Sequence, residues 1–152
     1  MRAVIQRVNW ASVVVGGEVT GAIERGLLVY LGIGRGDGER ERRFVVDKLV
    51  NLRIFENDAG KLDKSVLDLG GSVLIVSQFT LYADVTRGRR PGFDAAMRPD
   101  EAEAEYDAFV ALARSVVPVA TGRFRADMAV SSENAGPITI WIDTAKSGEM
   151  LP

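Results

Sequence analysis

The 152-residue chain contains no cysteine and no histidine. The first absence excludes disulfides, thiolate nucleophiles and cysteine-bound zinc. The second excludes Ser-His-Asp triads, imidazole general bases and histidine-bound metals. Long hydrophobic runs are also missing. Nothing approaches the roughly 18 apolar residues of a membrane span, and the opening MRAVIQRVNW lacks the apolar region of a signal peptide. Nor does one charge dominate: 19 Lys/Arg face 21 Asp/Glu, for a net charge of −2. That balance, with 47% hydrophobic residues, excludes a disordered chain and gives no argument from charge alone for a nucleic-acid partner. The expectation is one domain over residues 1–152, cytoplasmic and without a membrane partner. A chain of this length buries about 68–70% of its unfolded surface. No metal and no cofactor are expected.

What is present is unevenly spread. Residues 1–99 hold 15 basic against 12 acidic side chains, and residues 100–152 hold 4 against 9. Arg35, Arg40, Arg42 and Arg43 form one basic cluster, read as solvated surface; Arg87, Arg89 and Arg90 form a second in the Gly/Pro-rich stretch Asp84–Phe93, an exposed loop. The N-terminal third reads as strands: Val4–Val8, Ser12–Val15 with a Gly16-Gly17 turn, and the apolar run Leu27–Leu31, suited to a strand buried on both faces. Val45, Val46, Leu49, Val50 and Leu52 follow helical spacing, with Asp37 as a possible cap upstream. A turn at residues 57–60 and a second buried strand over Val73–Phe79 follow. Asp100 and Glu103 fit a capping box, ahead of an apolar stripe at Tyr106, Phe109, Leu112, Ala113 and Val116. Met128–Ser131 and Ile138–Ile142 read as strands separated by a turn at Ser132–Pro137. These elements predict an α+β fold: a mostly antiparallel, barrel-like sheet with two main helices in a single domain.

Two inviting patterns fail on spacing. Gly32–Gly38 lies between a strand and a helix, but Glu39 stands where a dinucleotide fingerprint needs its third glycine, and no GK[ST] follows. It reads as a flexible connection. The acidic run Asp100–Asp107 puts Glu101 and Glu105 on one helix face without a cation-binding loop, so it reads as a solvated face.

Two other segments are better candidates. In Ser77-Gln78-Phe79-Thr80-Leu81, a buried strand runs into three hydrogen-bonding side chains just before the basic loop. A strand end of this kind fixes position while the loop gives access; an edge strand with solvated Ser and Thr is the plainer alternative. In Asn134-Ala135-Gly136-Pro137-Ile138-Thr139, Gly-Pro precedes an apolar strand, which ordinarily means a turn.

In that order and separation, the SQFTL and NxGPxT patterns resemble those of the D-aminoacyl-tRNA deacylase family. The likeness extends to Met1–Val8, Ala11–Val13, Gly26–Val29, Gly88–Phe93 and Thr121–Phe124. Arg125 stands where the family pattern leads one to expect glycine, and Gly92 where serine is frequent. The resemblance implies a homodimeric carboxylic ester hydrolase that edits tRNA. Such an enzyme would cleave the ester of D-aminoacyl-tRNA, and of glycyl-tRNA mischarged on tRNA-Ala, at the tRNA 3′ end. It implies that Ser77, Gln78, Asn134, Gly136, Pro137 and Thr139 bind substrate. A cis Gly136-Pro137 pair would enter the partner subunit's pocket and exclude L-amino acids. Backbone N–H groups at Phe79 and Thr80 would serve the chemistry, assisted by the 2′-hydroxyl of the terminal ribose. Arg87, Arg89 and Arg90 would meet tRNA phosphates; no DNA partner is implied. The competing readings are a non-catalytic RNA-binding dimer, which predicts binding without turnover, and a small-metabolite esterase, which lacks a triad and a G-x-S-x-G elbow.

Overall fold

One uninterrupted strand, β1 (Arg2–Val15), organises the fold where the sequence suggested two short runs. The computed structural model describes residues 1–146. The first half of β1 pairs antiparallel with β3 (Gly26–Gly32) and its second half with β2 (Glu18–Ile23). Its other edge pairs antiparallel with β8 (Ala129–Asp143) along almost its whole length. Beyond β3 the sheet turns parallel: β3 pairs with β6 (Ser72–Ser77), and β6 with β7 (Val119–Thr121). The antiparallel expectation therefore holds around β1 and is corrected beyond β3, where helical crossovers return the chain in the same direction. The sheet nearly closes. A Cβ on Gly21 of β2 would lie 2.3 Å from the Thr121 carbonyl of β7, so glycine is what lets those two strands approach. A two-stranded hairpin, β4 (Phe55–Glu56) and β5 (Leu62–Lys64), flanks the sheet, with Gly60 at φ +73° in its turn.

Among the described residues there are three α-helices, one more than expected: α1 (Glu39–Asn51), the short α2 (Val66–Leu69) and α3 (Pro99–Arg114). Asp37 does not cap α1; Gly38 occupies that position, and the Asp37 carboxylate instead accepts from the Gly34 N–H at 2.6 Å and the Met1 ammonium at 2.5 Å. Asp100 does not cap α3 either. Arg98 precedes the helix and Pro99 fills its first turn. The buried stripe of α3 is Ala102, Tyr106, Phe109, Val110 and Ala113.

β3 and β6 are continuously apolar because each is buried on both faces. Leu27, Val29, Leu31, Val73 and Ile75 face the helices with Phe109 and Leu49. Leu28, Leu74 and Val76 fill the barrel interior with Val8, Ala11 and Val13. β1 passes from one core to the other, and its ladder with β8 breaks register on both sides of Val8. Between Asn134 and Thr139 β8 takes five steps while β1 takes two, from Val8 to Gln6. The surplus is a bulge that carries Gly136 and Pro137 out of the ladder. The turn expected at Ser132–Pro137 is thus an excursion within one long strand. Among the described residues, no helix is long and apolar enough to cross a membrane.

Candidate active site

β6 ends at Ser77, two residues earlier than the sequence suggested, and the chain turns at once into a 3₁₀ helix over Phe79–Tyr82. The reason is local. The Gln78 N–H still donates to the Leu31 carbonyl of β3 at 2.8 Å, but the next donations, from Leu81 to Gln78 (3.3 Å) and from Ala83 to Thr80 (3.0 Å), close 3₁₀ turns. The first N–H groups of such a helix have no partner within it. Among the described residues, the Phe79 and Thr80 N–H groups find no acceptor at all. Thr80 is exposed, and its hydroxyl accepts from Gln78 Nε2 at 2.5 Å.

This helix is seated on the glycine-rich segment that the sequence suggested was a flexible connection. Gly32 and Gly34 are buried. A Cβ on Gly34 would lie 2.5 Å from the Tyr82 hydroxyl, and one on Gly32 would lie 3.0 Å from the Gln78 carbonyl. The segment is a packing surface, glycine-rich because the 3₁₀ helix lies directly on it. Burial, and secondarily the Asp37 carboxylate, pushes the Tyr82 hydroxyl well above the ordinary tyrosine range.

Ser77, Gln78 and Phe79 line a cavity of about 660 Å³. Its apolar floor includes Val76, Phe124, Met128 and Val130, and Phe93 stands edge-on to Phe79 with ring centroids 4.8 Å apart. Arg35, Arg98 and Arg125 also line it, and among the described residues the lining contains no carboxylate. The apolar wall from Phe124 to Val130 was not legible as a site, because apolar residues between strands look like ordinary core; Arg98 gave no signal either, and Arg125 stood out only as a departure from the family pattern. Arg35, grouped there with a solvated cluster, lines the cavity; Arg42 instead pairs with Glu105 at 2.5 Å, so the acidic face of α3 is partly tied to α1.

The second motif lies elsewhere. Gly136 and Pro137 are exposed, and the bond between them is cis. Asn134 Nδ2 donates to the Thr139 hydroxyl at 3.1 Å, Gln6 Nε2 donates to the same hydroxyl at 3.2 Å, and the Ile138 N–H donates to Asn134 Oδ1 at 3.2 Å. Asn134 and Thr139 therefore brace the neck of the bulge. Arg7, which no spacing rule singled out, grips it from below, donating to the Ala135 carbonyl at 3.0 Å and the Ile54 carbonyl at 2.9 Å.

The strand ladders place the two motifs well apart within one chain. Ser77 shares a row with Leu31, Ala3 and Ile142, whereas Asn134 shares a row with Val8, Gly26 and Ser72. The rows differ by the length of β6, about 17 Å, and the two strands by three sheet spacings, about 14 Å. None of Asn134, Gly136, Pro137 and Thr139 lines the cavity. Arg87, Arg89 and Arg90 do not line it either. They sit exposed on the 84–93 loop, which Asp84 and Gly92 close with two backbone hydrogen bonds of 2.8 Å.

Comparison with known proteins bears on this arrangement. The family described as D-Tyr-tRNA(Tyr) deacylase matches residues 4–143. The chain is 53% identical to a D-aminoacyl-tRNA deacylase of Sorangium cellulosum, over 97% of this chain and 99% of that protein. It is 55% identical to one of Roseiflexus sp., over 95% and 94%. Among solved structures it resembles a c-Myc DNA unwinding element binding protein (TM-score 0.90, 43% identity, covering 95% and 99% of the two chains). A probable eukaryotic D-amino acid tRNA deacylase shares the fold (TM-score 0.77, 20% identity, covering 93% and 97%).

Proposed function

Because the chain belongs to the D-Tyr-tRNA(Tyr) deacylase family, we propose that its cavity hydrolyses the ester between a D-amino acid and the 3′-terminal adenosine of tRNA. The observation that carries this reading is the pair of unpartnered N–H groups at Phe79, which lines the cavity, and at the adjoining Thr80, beside a lining that holds no carboxylate among the described residues. An aminoacyl ester is already activated. What it needs is a placed water and donors aimed at the oxygen that becomes negative, and each such donor contributes roughly 2.7–4 kcal/mol to the transition state. With no histidine or cysteine in the chain, the proton leaving the water goes to the substrate side, assisted by the 2′-hydroxyl of the terminal ribose. Thr80 is a poor nucleophile here. Its hydroxyl is held by the Gln78 amide, which cannot take a proton. Its backbone N–H is the working part.

The chiral filter of this proposal is the Gly136-Pro137 tip of a second copy of the chain, entering the mouth of the first copy's cavity. The separation of the two motifs within one chain and the exposure of the tip support it. A backbone tip that takes the substrate amine and occupies the space of an L side chain rejects by bulk, so any D side chain is tolerated. Such a wall cannot reject a smaller group, and glycyl-tRNA, including that mischarged on tRNA-Ala, is also cleaved. Arg87, Arg89 and Arg90 meet phosphates further along the tRNA, which positions it without reading sequence. A cytoplasmic location belongs to the same proposal.

Matched D- and L-tyrosyl-tRNA, incubated with the purified protein and EDTA, test the reading. It predicts rapid loss of the D-ester alone. Equal loss of both would overturn the filter. Binding of tRNA or DNA without turnover would replace the enzyme with a nucleic-acid-binding dimer; the 43%-identical structural relative is named for binding a DNA element.

A further inference from the structure

Arg125 holds φ at +62°, the one non-glycine residue among those described with a positive φ. An L side chain is disfavoured there, because its Cβ crowds the following carbonyl, and glycine takes the position freely. Nothing in the packing demands arginine. Its side chain is exposed, and its one hydrogen-bond partner is the exposed Asp100, with Nη1 to Oδ1 at 3.3 Å. A costly backbone that supports an exposed cation calls for an explanation outside the fold.

The surroundings supply one. Arg125 lines the candidate cavity together with Arg35 and Arg98, on three separate segments. The Arg35 N–H donates to the Ala95 carbonyl at 3.0 Å, and the Met97 N–H to the Ile33 carbonyl at 2.9 Å. These bonds lock the 33–35 segment to the 95–98 segment and set Arg35 and Arg98 on adjoining parts of the wall. The guanidinium groups of Arg35 and Arg98 have no hydrogen-bond or ion-pair partner among the described residues. The chain carries a net charge of −2, yet this lining holds three arginines and no carboxylate; the nearest competing charge shown is Asp100 on Arg125. Exposed ion pairs of that kind contribute little and yield readily to a better anion.

We infer that Arg35, Arg98 and Arg125 form an anion clamp at the cavity mouth that grips the phosphodiester joining the terminal nucleoside to the rest of the tRNA strand. The inference rests on the deacylase reading for what fills the cavity. A nucleoside ester seated on the apolar floor brings its 5′ phosphodiester to the rim, where a planar guanidinium takes two phosphate oxygens at once. The clamp is distinct from the exposed 84–93 loop. It reads the linkage next to the reacting ester rather than the distant stem, and it lets the enzyme tell an ester on a nucleic acid from one on a free nucleoside.

The test compares a D-aminoacyl-tRNA with the corresponding D-aminoacyl adenosine, which has the same ester and no phosphate. In the Arg98→Ala, Arg125→Gly double variant, KM for the tRNA ester rises about tenfold with kcat retained. The preference for the tRNA ester over the nucleoside ester falls by the same factor. Each lost contact lowers the slope of log KM against log salt by about 0.7. Asp100→Asn, which releases Arg125, moves KM the other way by a few-fold at low salt. Arg125→Gly alone raises the melting temperature, because glycine relieves the backbone while the contact is lost. An unchanged KM and salt slope would overturn the clamp, as would an equal loss on both esters or a fall in melting temperature for Arg125→Gly. If the wild-type protein cleaves neither ester, the deacylase reading fails instead. The clamp is then tested alone, by whether the double variant loses affinity for a short oligoribonucleotide ending in CCA.

Discussion

The Arg7 guanidinium spans from the Ala135 carbonyl, 3.0 Å from Nε, to the Ile54 carbonyl, 2.9 Å from Nη1. It therefore joins the base of the Gly136-Pro137 bulge to the end of the segment that follows α1. A cation making two carbonyl contacts fixes the direction of an exposed backbone tip that has few other supports. Arg7→Met keeps the aliphatic stem and removes both bonds. Leaving two part-buried carbonyls without donors costs about 1–3 kcal/mol of stability. Selectivity should change more: the ratio of D- to L-tyrosyl-tRNA hydrolysis falls at least tenfold. Thermal melting and parallel D/L assays separate the two effects, and a variant that melts lower yet keeps full D/L selectivity would show that Arg7 only stabilises.

Gly34 and Tyr82 form a second positional pair. Gly34→Ala places a methyl group where the Tyr82 hydroxyl now lies, at 2.5 Å, so the 3₁₀ helix must lift. The Phe79 and Thr80 N–H groups move with it. Because losing one well-aimed oxyanion donor costs about 10²–10³ in kcat, the expected result is a large fall in kcat with little change in KM. A fall in KM-dependent rate alone, with kcat intact, would uncouple the glycine from the chemistry.

The pH behaviour follows from what the cavity lacks. Among the described residues its lining holds no carboxylate, and the chain has no histidine or cysteine, so the lining offers no group expected to titrate between about pH 5 and 9. The rate under saturation should show only the substrate's own α-amine ionisation; a bell with an additional acidic limb would point to a side-chain acid or base.

Two tyrosines tie stability to alkaline pH. Burial raises the Tyr106 hydroxyl, and burial followed by the Asp37 carboxylate raises that of Tyr82. The folded chain therefore keeps these protons after the unfolded chain releases them, near pH 10. The stability they contribute is full below that pH and declines above it. Tyr106→Phe, which removes the donor to the Ile75 carbonyl at 2.9 Å, should flatten the decline while lowering stability at neutral pH.

The legibility of the sequence tracks how local each cause is. β3 was readable because an apolar run between glycines has one comfortable place, a strand with core on both sides. The split of β1 and β8 into short runs is corrected: Asn9, a poor strand former, and Ser132–Pro137 look like interruptions. A neighbouring strand absorbs them as register shifts, and no window of sequence contains that neighbour. Gly32 and Gly34 suggested flexibility, since their close contact with Tyr82 depends on a chain segment some 50 residues away. Ser77–Phe79 was found at a strand end, where position alone is informative, while Phe124–Val130 and Arg98 join the cavity only through the meeting of β7, β8 and α3. Arg7 gave no signal, since an arginine alternating along a strand ordinarily faces water.

If each site is made by two chains, two variants defective in different parts restore each other when mixed. Phe79→Pro deletes a rim N–H at the first position of a helix, where proline is tolerated. Gly136→Ala spoils the tip, because its Cβ would meet Arg7 Nη2 at 2.9 Å on a backbone held at φ +123°. Each variant alone should be nearly inactive on D-tyrosyl-tRNA. Unfolded together and refolded as an equal mixture, half of the two-fold symmetric dimers are hybrids, and each hybrid contains one intact cavity facing one intact tip. Activity should then recover to about a quarter of the wild-type level, because half the dimers carry one working site of two. A mixture no more active than its components would show that cavity and tip do not meet across chains.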